Sequence, residues 1–235
     1  MPATSKPDAG APTPTLGLSA DYDAVIFDMD GVIVDSEPRH ERAFRDVLEA
    51  IGYADNHGIH FPDYYGKSDQ LVWRDFIERH DPPHTHDELM QRREERFVEI
   101  VVADEPIFAG IPELVTALAK RAKLGVASGS RHAIILAVLG MKDLRRHFPV
   151  VVSSEDVPHG KPRPDIFLRA AELLNTTPQR CVVIEDSVAG VEAGLAAGMQ
   201  VIAITNSFPT DALSRASLVV DTYDQIAAAL AIGED

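Results

Sequence analysis

Apolar positions along this chain follow two alternating patterns. Short, nearly unbroken runs rich in β-branched residues read as strands buried on both faces: Ala24–Phe27, Leu124–Ala127, Val150–Val152, Cys181–Ile184, Val201–Ile204 and Leu218–Val220. Between the later runs, apolar residues recur with the helical period over about 112–121, 133–139, 164–174, 188–197 and 224–231. Pro112 suits the first turn of its helix, where no backbone donor is needed. Strands alternating with helices predict an α/β fold, a Rossmann-like parallel sheet covered on both faces. The alternation lapses once. After the first strand come three helical patterns at about 38–50, 69–79 and 87–102, with a polar, turn-rich segment at 52–68. This stretch predicts a small all-helical domain, residues 37–108, inserted into an α/β core of residues 21–36 and 109–235. The charge-dense Gln91–Arg96 within it reads as a solvated helix face held by i,i+4 pairs. Met1–Ala20 is rich in Pro, Ala and Thr, has one lysine and lacks an apolar segment, so it reads as a disordered tail and not a signal peptide.

Candidate chemistry concentrates where strands end, the usual ligand position in such sheets. Asp28-Met29-Asp30-Gly31 closes the first strand. Two acids so close need a cation or a shared proton, which suggests a metal site, a nucleophile with an acid/base partner, or both. A plain turn aspartate is the alternative. Ala127-Ser128-Gly129-Ser130 follows the second strand and opens a helix, where a hydroxyl and backbone N–H groups can hold a phosphate or simply cap. In Gly160-Lys161-Pro162 a lysine is restrained between a glycine and a proline ahead of a helix. It is placed to neutralise phosphoryl oxygens and crowded carboxylates, or is an ordinary loop lysine. Val183-Ile184-Glu185-Asp186-Ser187 repeats the first motif, and such hard oxygen ligands suit Mg²⁺. The insertion leaves from a site-bearing strand end, where it would form a lid.

Composition narrows the function classes. A net charge of −15 argues against nonspecific nucleic-acid binding and docking to anionic membranes. Cys181 is the single cysteine, so no intrachain disulfide forms, and no apolar segment approaches membrane-spanning length. A cytoplasmic location is the expectation. His80, His84 and His86 are set about Asp81-Pro82-Pro83, which reads as a loop, so no helix places them as ligands and no second metal is expected there.

Taken in order, these residues carry a resemblance. Asp28-Met29-Asp30-Gly31-Val32 with Asp35-Ser36-Glu37-Pro38, Ser128, Lys161 in Gly-Lys-Pro-x-Pro-Asp, and Glu185-Asp186-Ser187 resemble the haloacid dehalogenase superfamily, in its β-phosphoglucomutase-like phosphatase branch. The resemblance runs from about Tyr22 to the C-terminus. It implies Asp28 as nucleophile, Asp30 as acid/base, and Ser128, Gly129, Ser130 and Lys161 around the phosphoryl group. It also implies Mg²⁺ held by Asp28, the backbone carbonyl of Asp30 and Asp186, with Glu185 bound directly or through water. The inserted region becomes a cap, with Glu37, His40 and Lys67 as candidate substrate contacts. An aspartate at position 30 favours an alkoxide leaving group, which needs a proton, over a halide, which does not; family dehalogenases and phosphonatases lack it. The mutases of this branch carry Lys-Gly-x-x-Arg in the cap loop, whereas this chain has Tyr65-Gly66-Lys67-Ser68-Asp69. The expected protein is therefore a monomeric phosphatase of small phosphorylated metabolites, with a phosphosugar mutase as the alternative.

Overall fold

Buried residues of alternating direction organise the sheet. The computed structural model describes residues 21–64 and 69–231. Six strands, β1 (Ala24–Phe27), β2 (Lys123–Ala127), β3 (Val150–Val152), β4 (Cys181–Glu185), β5 (Gln200–Ile204) and β6 (Leu218–Val220), form one sheet in the order β3-β2-β1-β4-β5-β6. Every pairing is parallel, with Phe27 opposite Val126 on one side and Ile184 on the other. The order reverses at β1, so the crevice beyond its carboxyl end is the topological switch point.

Helices α1 (Glu37–Ala50), α2 (Asp69–His80) and α3 (His86–Asp104) lie between β1 and β2 in the chain. They are followed by α4 (Ile111–Leu118), α5 (His132–Gly140), α6 (Asp165–Leu173), α7 (Val188–Ala196) and α8 (Tyr223–Ala229). Val25, Phe27, Val126, Val182 and Ile184 pack on the face covered by α4, α5 and α8, while Ala24, Ile26, Val183 and Val201 pack against α6 and α7. This odd–even division is the strand period at work. Cys181 lies in the second of these clusters. The inserted helices carry an apolar cluster of their own, centred on Phe44, Trp73 and Phe76. Phe97 and Ile100 of α3 join the sheet's core instead.

The helix spans match the sequence reading to within about three residues, the usual uncertainty of helix ends. One expectation fails. The Gln91–Arg96 stretch is not wholly a solvated face: Gln91 does bond Glu95 four residues on, but Arg93 is buried, stacked over the rings of Phe44 and Phe97. Among the described residues no helix is long and apolar enough to cross a membrane. The expected N-terminal tail and Lys67 lie outside the described residues.

Candidate active site

The first motif sits where its sequence must change direction. Asp28 extends the strand, its N–H donating to the Ile184 carbonyl at 2.9 Å. The chain then turns at Gly31, φ +73°, and Ile33 and Val34 donate back to the Met29 carbonyl. A side chain at Gly31 is barred on two counts: the positive φ, and a Cβ that would lie 1.8 Å from Asp186 Oδ2.

Three carboxylates and one ammonium meet at this end of the sheet. Lys161 Nζ lies 2.6 Å from Asp28 Oδ1 and 2.5 Å from Glu185 Oε1, and its side chain is only 13% exposed. Glu185 is fully buried, and its second oxygen accepts from the N–H groups of Asp186 and Ser187 and from Ser187 Oγ at 2.8–2.9 Å. Ser187 in turn caps α7, accepting from Gly190 N–H. Asp186 Oδ2 accepts from Ser207 Oγ. Burial pushes the Asp28 carboxyl up to about 7; Lys161 opposes the rise, and Glu185 and Asp30 add to it. Burial, followed by the charges of Glu185 and Asp28, also raises Asp186. For Lys161, burial disfavours the charge, but Asp28 and Glu185 outweigh it and hold the ammonium well above its usual range.

Asp30 faces another set of partners. Its Oδ2 accepts from Ser130 Oγ at 2.8 Å and, more distantly, from Ser128 Oγ at 3.4 Å. His40 Nε2 approaches Oδ1 at 3.5 Å. Burial would raise Asp30, but His40 and the hydroxyls of Ser36 and Ser130 prevail and hold it at about 2. The His40 ring stacks on Phe97 with centroids 4.1 Å apart, and its Nδ1 accepts from the Arg93 guanidinium. Because a guanidinium only donates, His40 carries its hydrogen on Nε2, towards Asp30.

A cavity of about 1320 Å³ opens over these groups. Asp28, Asp30, Glu37, Gly129, Ser130, Lys161 and Asp186 line it, as the sequence anticipates. Two anticipated substrate contacts do not. Ser128 is fully buried, its Oγ shared between Asp30 and the Ser130 N–H, and His40 is engaged by Asp30 and Arg93. The sequence reading overlooks the loop after β5, where Asn206, Ser207 and Phe208 also line the cavity. The strand-end rule that selected the other motifs applies equally to this loop.

The donor set fits a hard divalent cation. Asp28, Glu185 and Asp186 each present an oxygen within 4.8 Å of the others, all three residues are buried, and Lys161 is the cation bonded among them. Three buried acids against one ammonium leave negative charge uncompensated, and oxygen-only ligands suit Mg²⁺ over softer metals.

Comparison with known proteins agrees with this geometry. A family model described as haloacid dehalogenase-like hydrolase matches residues 22–198. The chain belongs to the haloacid dehalogenase-like hydrolases. Hexitol phosphatase B of Escherichia coli (strain K12) is 34% identical over 183 residues, 77% of this chain and 82% of that protein. Fructose-1-phosphate phosphatase of the same organism is 33% identical over 187 residues, 77% of this chain and 95% of its own. Among solved structures, β-phosphoglucomutase from Clostridium difficile superposes with a TM-score of 0.70 at 28% identity, covering 87% of this chain and 93% of that one. CbbY from Rhodobacter sphaeroides in complex with phosphate gives 0.76 at 26% identity, covering 90% and 100%. The hydrolase therefore falls in the branch that holds the β-phosphoglucomutases and the sugar phosphatases, and it is an enzyme of the phosphatase type.

Proposed function

We propose that this hydrolase cleaves phosphomonoesters of small sugars or polyols with Mg²⁺, through a phosphoryl group carried on Asp28. The observation that carries this reading is the buried Asp28 carboxylate, 2.6 Å from a fixed ammonium and lining the cavity. Residues 37–108 act as a cap over a core of residues 21–36 and 109–235. The enzyme works as a cytoplasmic monomer on a small metabolite, without nucleic acid or membrane.

Asp28 and Asp186 supply carboxylate oxygens to Mg²⁺ and the Asp30 backbone supplies its carbonyl. Glu185, whose two oxygens are engaged by protein donors, supports from behind. When bound, the ion neutralises charge on the phosphoryl oxygens and on the nucleophile. An Asp28 oxygen forms a bond to phosphorus as the ester P–O bond breaks, and Asp30 protonates the departing alkoxide. Water then attacks phosphorus, giving its proton to Asp30, and the bond to Asp28 breaks to release inorganic phosphate. In the free site Asp30 is ionised, ready for the second step; an arriving phosphate dianion raises its proton affinity for the first. Lys161 holds a phosphoryl oxygen, and Gly129 and Ser130, which line the cavity, complete the cradle, while the buried Ser128 hydroxyl braces Asp30 and Ser130 from behind.

The test is phosphate release from a panel containing hexitol phosphates, fructose 1-phosphate and β-glucose 1-phosphate, with glucose 6-phosphate monitored. Free phosphate, abolished by EDTA, is expected. Conversion of β-glucose 1-phosphate to glucose 6-phosphate with little free phosphate establishes the mutase instead. The structural likeness to a β-phosphoglucomutase keeps that reading alive.

A further inference from the structure

The loop after β5 and the start of α8 reach back to the first motif and to Asp186 through three side chains that belong to none of the strand-end motifs. Asn206 Nδ2 donates to the Gly31 carbonyl at 2.8 Å and to Tyr223 Oη at 2.9 Å. Tyr223, the first residue of α8, donates its own hydroxyl hydrogen to the Val32 carbonyl at 2.7 Å. Ser207 Oγ donates to Asp186 Oδ2. The fit is close: a Cβ on Gly31 would lie 2.8 Å from Ser207 Oγ as well as against Asp186. The Gly31 turn, the Asp186 carboxylate and the Ser207 hydroxyl thus form one joint, with Asn206 and Tyr223 locking the turn's carbonyls.

We propose that Ser207 and Asn206 are positioning residues for divalent-cation binding. This rests on the Mg²⁺ reading above. Asp186 sits among like charges, and Ser207 donates the only side-chain hydrogen bond made to its carboxylate among the described residues. By engaging Oδ2, that hydroxyl leaves the other oxygen as the one that would be offered to a cation. Asn206 acts on the opposite wall. It bonds the carbonyl of Gly31 and so fixes the Gly31–Val32 peptide, the neighbour of the one that must present the Asp30 carbonyl. Asn206 and Ser207 are themselves exposed, so replacing either leaves core packing intact.

The experiment measures Mn²⁺ binding to the full chain by electron paramagnetic resonance, without substrate, for wild type, Asp186→Asn, Ser207→Ala, Ser207→Thr and Asn206→Ala. Outer partners of metal ligands typically account for about 10- to 100-fold in affinity. The expected result is one site in wild type, none in Asp186→Asn, and about tenfold weaker binding in Ser207→Ala and Asn206→Ala. Ser207→Thr, which keeps the hydroxyl, should remain within about threefold of wild type. Affinity in Ser207→Ala equal to wild type overturns the inference and leaves the metal site standing. Equal weakening in the alanine and threonine variants also overturns it, because the hydroxyl is then not what matters. A wild type that binds no Mn²⁺ overturns the Mg²⁺ reading itself.

Discussion

Gly190, in the first turn of α7, separates two physical expectations by sign. An ordinary helical glycine gains about 0.5–1 kcal/mol of stability on replacement by alanine. At Gly190 the new Cβ would lie 1.7 Å from Glu185 Oε1, 1.9 Å from Cδ and 2.3 Å from Oε2. Restoring van der Waals contact moves the carboxylate by roughly 1.5 Å, which stretches any bond of ordinary length past hydrogen-bonding range. The carboxylate accepts four such bonds, from Lys161, the Asp186 and Ser187 N–H groups and Ser187 Oγ, and it is fully buried. Hydrogen bonds to charged groups contribute about 1.5–3 kcal/mol each, so losing two of them costs about 3–6 kcal/mol, well beyond the helix-propensity gain. For a domain of this size each kcal/mol lowers Tm by about 2–4 °C, so Gly190→Ala should melt on the order of 10 °C below wild type. Displacing Glu185 also frees Lys161 from its station, and a misplacement of about 1 Å near the reacting atoms costs roughly a hundredfold in kcat/KM. The assay pairs circular-dichroism melting with phosphate release, using Gly140→Ala as the control, since a Cβ there meets nothing within 4 Å. If Gly190→Ala melts at or above the wild-type temperature and keeps its activity, the packing of Glu185 on α7 does not constrain the site and the reasoning fails.

Lys161→Met leaves two buried carboxylates without their cation, and removing one partner of a buried pair costs about 3–5 kcal/mol. The Asp28 carboxyl, at about 7 when folded and near 3.8 when unfolded, erodes wild-type stability as pH rises between those values. Without Lys161 it holds its proton to still higher pH, so the variant should keep losing stability above pH 7 where wild type has levelled. Urea titrations in EDTA at pH 6 and 8.5 check this, and a gap that narrows with pH refutes it. Asp30→Ala should lower kcat on a sugar phosphate by about a hundredfold or more but much less on an aryl phosphate, whose leaving group needs no proton. Equal losses on both esters would remove Asp30 from the acid role. Burial pushes the Cys181 thiol up to about 11, so native protein at pH 8 should react negligibly with Ellman's reagent and yield one thiol after unfolding in urea.

The sheet is legible in the sequence because a strand buried on both faces requires an unbroken apolar run, as in Val182-Val183-Ile184, whereas a half-exposed strand or helix would interrupt it with polar residues. Asp28, Lys161, Glu185 and Asp186 are legible because acids or a lysine at strand ends are costly unless used. Arg93 is not, because its neighbours Arg92, Glu94 and Glu95 give it the look of a solvated face; the rings of Phe44 and Phe97 and the His40 nitrogen help make its burial tolerable, and Phe44 and His40 lie on another helix, remote from it in the sequence. Asn206 and Tyr223 are hidden for a related reason. Each acts on a backbone carbonyl of the Gly31 turn, and carbonyls leave no trace in sequence. The close approach that makes Gly190 obligatory is equally invisible, since a small residue on a helix reads first as packing.

The central place of β1 orders the way this enzyme comes into being. Asp28 emerges early from the ribosome, yet the strand that carries it gains its first hydrogen-bonded neighbour only when β2 is made, and its second only with β4. The ammonium of Lys161 is made between β2 and β4, Glu185 and Asp186 arrive at the end of β4, and the hydroxyl of Ser207 and the clasp of Tyr223 follow later still. Such long-range pairings are intrinsically slow to form. The nucleophile is thus the earliest functional group synthesised and the last to be armed, and a chain cut short before α8 carries it without the clasp that steadies its turn.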